Sequence, residues 1–146
     1  MPFVKVNKVT EIEIYNYLIE CDNLFLPALS DGVNIKEYSK KIRDNATTFE
    51  AYDDNVFVGL VAAYFNKKES FVFITSVSVK EKYQNQGIVF RLLHQCILKA
   101  EIEDYGEIGL HVHKDNYKAL AIYIKFGFEV VEKYDNFLFM TRKIND

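Results

Sequence analysis

One stretch, Phe71 to Ala100, limits what this chain can fold into more than any other. It reads FVFITSVSV, then KEKYQNQ, then GIVFRLLHQCILKA. The first piece is an apolar run rich in β-branched residues, which marks a buried strand. The second is a short polar loop without a side-chain nucleophile. The third opens on Gly87 and places Leu93, Ile97 and Ala100 at i, i+4 and i+7, with Leu92 and Cys96 beside them. That spacing predicts an amphipathic helix, with Arg91, His94, Gln95 and Lys99 mostly off the apolar stripe.

A strand, a tight turn and a helix N-terminus together make an anion site. The first-turn N–H groups lack partners inside the helix, and the macrodipole adds about half a positive charge there. Gly87 has no Cβ to keep a phosphate from the backbone. The competing reading is a plain strand-to-helix connection in which glycine serves geometry alone. Two dinucleotide and nucleotide loops are excluded: no GxGxxG follows a strand, and no GxxxxGK with Ser or Thr occurs.

The chain has 146 residues, which predicts one domain over 1–146. With 49% hydrophobic and 27% charged residues it has the apolar mass for a core. The net charge of -3 gives no basic footprint, so no nucleic-acid partner is expected. Cys21 and Cys96 form no CxxC motif and read as free thiols in a reducing compartment. MPFVKVNKVTE carries no apolar signal core. The apolar run near 57–65 is far short of the roughly 20 residues a membrane helix needs. A cytoplasmic protein without a membrane partner is the expectation.

In chain order, Phe3 to Val6 reads as an edge strand. Thr10 to Glu20 reads as a helix capped by Thr10 and boxed by Glu13. Residues 22–33 (DNLFLPALSDGV) form an apolar loop that either caps a core or walls a cleft. A second helix starts at Asn34, with Glu37 as another capping box. Strands over 47–52 and 56–64 make a hairpin at Asp53-Asp54-Asn55, and a turn over 66–70 leads into strand 71–79. The helix after Gly87 runs to about Asp104, with Gly106 at its C′ position. Strand 107–113, a helix over 115–125 capped by Asp115, and a pair over 128–133 and 137–141 complete the chain. Strands 71–79 and 108–113 flank a helix and should run parallel. The expected fold is α/β (α+β by some schemes): a mixed, largely antiparallel sheet of six to seven strands flanked by about four helices.

Residues 116–128 read NYKALAIYIKFGF. Set beside the first stretch, they make the chain resemble the GNAT superfamily of acyl-CoA-dependent N-acetyltransferases. That family's phosphate loop carries Gln or Arg, two free positions, Gly, one free position, then Gly or Ala, about five residues after a strand ending in Val. Here Val79 is followed by Gln84-Asn85-Gln86-Gly87-Ile88-Val89. Its later motif, NxxAxxxYxxxGF, is met by Asn116, Ala119, Tyr123, Gly127 and Phe128. Val89 departs from the small residue usual there, and a branched side chain at that point would crowd a pyrophosphate.

The resemblance implies an N-acetyltransferase that moves an acetyl group from acetyl-CoA, a cosubstrate, to a primary amine by direct attack. Backbone groups of Val77, Ser78 and Val79 would pair with the pantetheine arm. Those from Gln84 to Val89 would hold the pyrophosphate, and Asn116 would contact the coenzyme arm. Tyr123 would protonate the leaving thiolate; the other reading of Tyr123 is a core aromatic. Some relatives keep a glutamate where Phe73 falls. In the branch that acetylates ribosomal-protein N-termini a glutamate stands twelve residues before the helix tyrosine, and here that residue is His111. His111 is then the base or holds a water chain; the alternative is a strand histidine that bonds a neighbour. His111 and His113 share a strand face, but no third ligand has metal-site spacing, so no metal is expected. The acceptor, small molecule or peptide amine, is left open, with 22–34 and 134–136 as the segments expected to shape its site. Homodimers are common in the resembled family. A non-catalytic acyl-CoA-binding module on the same fold is the alternative function.

Overall fold

The computed structural model describes residues 2–145. Its elements follow the expected order. Strand β1 (Phe3–Val6) precedes helix α1 (Glu11–Cys21), a single-turn α2 (Leu29–Gly32) and α3 (Ile35–Asn45). Strands β2 (Thr47–Asp53), β3 (Val56–Asn66) and β4 (Phe71–Val79) lead to α4 (Ile88–Ile102) and β5 (Glu107–His113). Helix α5 (Tyr117–Lys125) and strands β6 (Glu129–Tyr134) and β7 (Phe137–Lys143) close the chain. The strands make one seven-stranded sheet in the order β1-β2-β3-β4-β5-β7-β6, and β4 and β5 are its parallel pair.

Two apolar cores flank the sheet because β3 is buried on both faces. Leu60 and Ala62 pack with α1 and α3, through Ile14, Leu18 and Ile42. Val61 and Ala63 point the other way, onto Leu92, Leu93, Cys96 and Ile97 of α4. The period of two along β5 does the same. Ile108, Leu110 and Val112 join the α4 core, which turns Gly109, His111 and His113 to the α1/α3 face. Fully buried Glu50 sits in β2, where its carboxylate accepts from Lys8 N–H at 3.1 Å and from the Thr48 hydroxyl. Burial pushes that carboxyl upward in pKa.

The caps hold with three corrections. Thr10 and Glu13 form the expected reciprocal box, at 3.2 and 2.9 Å. Asn34 accepts from Glu37 N–H at 3.0 Å, but among the described residues Glu37 returns no bond. Asn116, not Asp115, caps α5, its Oδ1 accepting from Ala119 N–H at 3.3 Å. Asp104, not Gly106, takes the left-handed position after α4, at φ 64°. Tyr105 N–H then reaches Ala100 C=O at 2.9 Å and Asp104 N–H reaches Glu101 C=O at 3.1 Å, closing the helix. Aspartate visits that region because its short side chain bonds locally. Gly106 serves as a crossing point instead, its N–H donating to Ser70 Oγ at 2.9 Å.

Gly109 is fixed by close approach. A Cβ there would lie 2.6 Å from Phe71 Cζ and 3.2 Å from both the Met140 carbonyl oxygen and the Phe139 ring. Gly109→Ala therefore overpacks the α1/α3 face, and we expect a loss of about 1–3 kcal/mol. The check is urea unfolding: the midpoint should fall with an unchanged slope. An unchanged midpoint would mean that Phe71 swings aside freely.

Candidate active site

The site begins where the sheet stops being a sheet. Strands β4 and β5 pair only from Phe71–Ile74 against Glu107–Leu110. Beyond that point β4 continues to Val79 and β5 to His113 without pairing each other. A bulge in β4 coincides with the parting: Ala63 faces Ile74 and Ala62 faces Ser76, so Thr75 has no partner on β3. The edge of β4 turned toward β5 from Thr75 onward is open. A cavity of about 770 Å³ fills the gap and runs from the N-terminus of α4 to the loop over 24–33.

At one end, the chain supplies donors and positive charge. Asn85 and Gly87 both adopt positive φ, 63° and 79°, and Gly87 is the N-cap of α4 with no side-chain capping bond. Among the described residues, Ile88, Val89 and Phe90 N–H groups have no intrahelical acceptor, since the first bond runs from Arg91 N–H to Gly87 C=O. Space is open beyond Gly87: a Cβ there would touch nothing within 4 Å. Lys118 and Lys125 line the same end. The Lys118 ammonium donates to Gln84 Oε1 at 3.3 Å, and Gln84 Nε2 donates to Val79 C=O at 3.2 Å, tying the loop to the end of β4. The half-buried Val89 side chain leans on the α4 core as well as lining the cavity.

At the other end the wall is apolar and aromatic. Leu24, Phe25, Leu26, Pro27, Leu29 and Val33 face Phe73 and Phe137 across it. The 22–33 segment thus serves both readings: Phe25 and Leu29 pack on the α1/α3 core, while Leu24 and Leu26 stay exposed along the cleft. Asp22 pins it, accepting from Ser30 N–H and Ser30 Oγ, each at 2.7 Å. Those bonds hold the Asp22 carboxyl below its usual pKa. The Tyr38 hydroxyl donates to Thr75 C=O at 2.8 Å, which fixes the bulge, and burial raises its pKa to about 12. No aspartate or glutamate lines the cavity among the described residues.

Tyr123 and His111 enter this space from opposite faces of the sheet. Tyr123 belongs to the α4-side core, edge-on to Phe128, and its hydroxyl has no protein partner among the described residues. Burial pushes its pKa far above that of an exposed tyrosine, so it keeps its proton at neutral pH. His111 lies on the α1/α3 face, exposed, beside Phe73. Partial burial lowers its pKa, opposed by the Glu132 charge, so the neutral imidazole prevails at pH 7. Neither cysteine lines the cavity, and burial raises the Cys96 thiol to about 12. Among the described residues no cavity serine bonds a histidine: Ser78 Oγ meets Tyr17, Ser76 Oγ is buried without a partner, and His111 Nε2 meets Tyr134.

Of the residues singled out in the sequence, Val77, Ser78, Val79, Gln84, Asn85, Gly87, Ile88, Val89, His111, Asn116 and Tyr123 all line the one cavity. Gln86 does not; its side chain is exposed and donates to Lys82 C=O at 3.4 Å. Asn116 spends Oδ1 on its own helix, and Nδ2 is left to donate. Lys118 and Lys125 were missed, although two lysines seven apart on the helix of the later motif share a face. The 134–136 turn does not line the cavity; the neighbouring Phe137 does.

The model of the acetyltransferase (GNAT) family matches residues 12–128. An N-alpha-acetyltransferase of Saccharolobus solfataricus is 30% identical over 141 residues, covering 88% of this chain and 74% of that protein. The solved structure of Arabidopsis thaliana Naa50 in complex with the bisubstrate analogue CoA-Ac-MVNAL superposes with a TM-score of 0.74 at 28% identity. That match covers 95% of this chain and 97% of that one. The ribosomal-protein-S18-alanine N-acetyltransferase of Escherichia coli shares the fold, with a TM-score of 0.81 at 18% identity over 100% and 96% of the two chains. The chain belongs to the acetyltransferase (GNAT) family.

Proposed function

We propose that this member of the GNAT family transfers the acetyl group of acetyl-CoA to the α-amine of a peptide that begins with an apolar residue. The observation that carries the reading is the single cavity through the parted strands, cationic and rich in N–H groups at one end, apolar and uncharged at the other. The pantetheine arm takes the open edge of β4 at Val77–Val79, as an added strand would. The pyrophosphate rests on the N–H groups from Gln84 to Val89, with Lys118 and Lys125 supplying charge and Asn116 Nδ2 a donor. This lays the thioester in the gap, between Tyr123 and His111.

The amine nitrogen attacks the thioester carbonyl carbon, a C–N bond forms and the C–S bond breaks. His111 takes the proton that the nitrogen sheds, directly or through water, and Tyr123 gives its proton to the departing thiolate. A buried tyrosine with a raised pKa rests protonated at neutral pH, so the proton is in place when negative charge develops on the leaving sulfur. Holding both reactants in a narrow gap supplies much of the acceleration. The apolar, carboxylate-free acceptor end suits an amine next to an apolar side chain. A polyamine or aminoglycoside would find no counter-charge there for its further ammonium groups. The names of the relatives support the peptide acceptor: one is an N-alpha-acetyltransferase, and another was solved with an analogue whose peptide part reads MVNAL.

Acetyl-CoA and CoA should each raise the melting temperature by several degrees, since a ligand at 100 times its Kd adds about 2.7 kcal/mol. ATP should not. In an acceptor panel, peptides opening with Met or Leu should exceed spermidine and kanamycin at least about tenfold in kcat/KM; a reversed order would remove the peptide reading. Tyr123→Phe should keep the coenzyme-induced melting shift while kcat falls about 100-fold, the low end for a lost proton donor. An unchanged kcat would retire Tyr123 as the acid.

A further inference from the structure

His111 is held among aromatics. Its ring lies edge-on to three aromatics: Phe73 of β4 at 5.2 Å, Phe139 of β7 at 5.2 Å and Tyr134 of β6 at 5.5 Å between centroids. Only Tyr134 brings a polar atom, and its hydroxyl oxygen stands 2.5 Å from His111 Nε2. His111 lines the cavity and Tyr134 does not. The imidazole therefore borders the substrate space and bonds a hydroxyl that lies outside it. The position of that hydroxyl is set by the hairpin: Tyr134 ends β6, and Asn136 in the turn accepts from Lys114 N–H, just beyond β5, at 2.8 Å.

We propose that Tyr134 is the positioning residue for His111, accepting a hydrogen bond from Nε2–H and so leaving the bare Nδ1 as the nitrogen that takes the proton of the acceptor amine. This rests on the reading of His111 as the base. The direction of the bond follows from what a base must do. If Tyr134 donated to a bare Nε2, the only basic nitrogen would be covered by a hydroxyl outside the cavity. If Nε2–H donates to the tyrosine oxygen, the same bond survives protonation at Nδ1, since both nitrogens of an imidazolium carry hydrogen. Nδ1 has no partner among the described residues. His113, two residues on, differs: its Nδ1 already accepts from Asp115 N–H at 3.1 Å.

Glu132 of β6 is the charge that acts on His111; Tyr134 of β6 and His113, two residues on along β5, are the other titratable side chains on its face, and β4 and β7 present the uncharged Phe73 and Phe139. An oxygen that accepts from Nε2–H steadies the imidazolium. Its removal should lower the His111 pKa further.

The test needs no variant to begin. The chain has three histidines, so 15N-histidine labelling of the intact protein reads each tautomer by NMR above pH 7. The Nε2–H form at His111 is expected; an Nδ1–H form overturns the proposal. Tyr134→Phe keeps the ring and removes only the oxygen. It should mix the two tautomers, move the acid limb of kcat/KM to lower pH and cut kcat about tenfold, the worth of one hydrogen bond. KM for acetyl-CoA should stay put. If tautomer, acid limb and kcat are all unchanged while His111→Ala loses activity, Tyr134 is not the positioning residue and the base stands. If His111→Ala loses less than about threefold between pH 6 and 9, the base reading itself falls and takes the role of Tyr134 with it.

Discussion

The site depends on a strand pair that stops pairing. Four residues of β4 bond β5, and the strands then diverge. A parallel pair is held by slanted, evenly spaced bonds, and buried backbone groups rarely go without partners. The parting therefore needs both a cause and a substitute partner. The cause lies in β4, where Thr75 bulges out of the β3 ladder with its carbonyl held by Tyr38. On this account the substitute is the pantetheine arm, whose amides complete the interrupted ladder. The same gap lets one cavity reach both faces of a sheet that elsewhere seals them from each other.

That geometry divides the labour. The α4 face carries the helix N-terminus, two lysines and Tyr123, which suits a phosphorylated cosubstrate and a thiolate leaving group. The α1/α3 face carries an apolar wall and His111, which suits an uncharged amine with an apolar neighbour. Burial acts on the two titrating groups in opposite senses. It keeps the Tyr123 proton on and the His111 proton off near neutrality. Each thus rests in the form its proposed step consumes. Val89, the departure from the family loop, spends part of its side chain on the core.

Local signals carried most of the fold. Periodicity placed the strands and helices, and Thr10 with Glu13 announced its capping box. The parallel pairing of β4 with β5 followed from the helix between them. Apart from the bond that Glu37 does not return, what failed were choices between neighbouring residues able to do the same job. Asp104 and Gly106 both suit a helix end, and the contact of Gly106 with Ser70, 36 positions earlier, decided it. Asp115 and Asn116 are both good caps. The cavity-lining residues of the two motifs were legible because each motif is contiguous. The sequence marks Tyr134 only as part of a turn shaping the acceptor site; its meeting with His111 was not legible, since it depends on how the β6–β7 hairpin lies across β5. Buried Glu50 gave no sign either, because Lys8, 42 positions away, joins Thr48 and Tyr52 of its own strand in holding it.

The central claim is that both reactants occupy the gap together and react directly. Initial rates measured over a grid of acetyl-CoA and Met-initial peptide concentrations test it most directly. Intersecting double-reciprocal lines are predicted, the pattern of a complex holding both substrates. Parallel lines, the mark of an acetyl group parked on the protein between two half-reactions, would contradict the account.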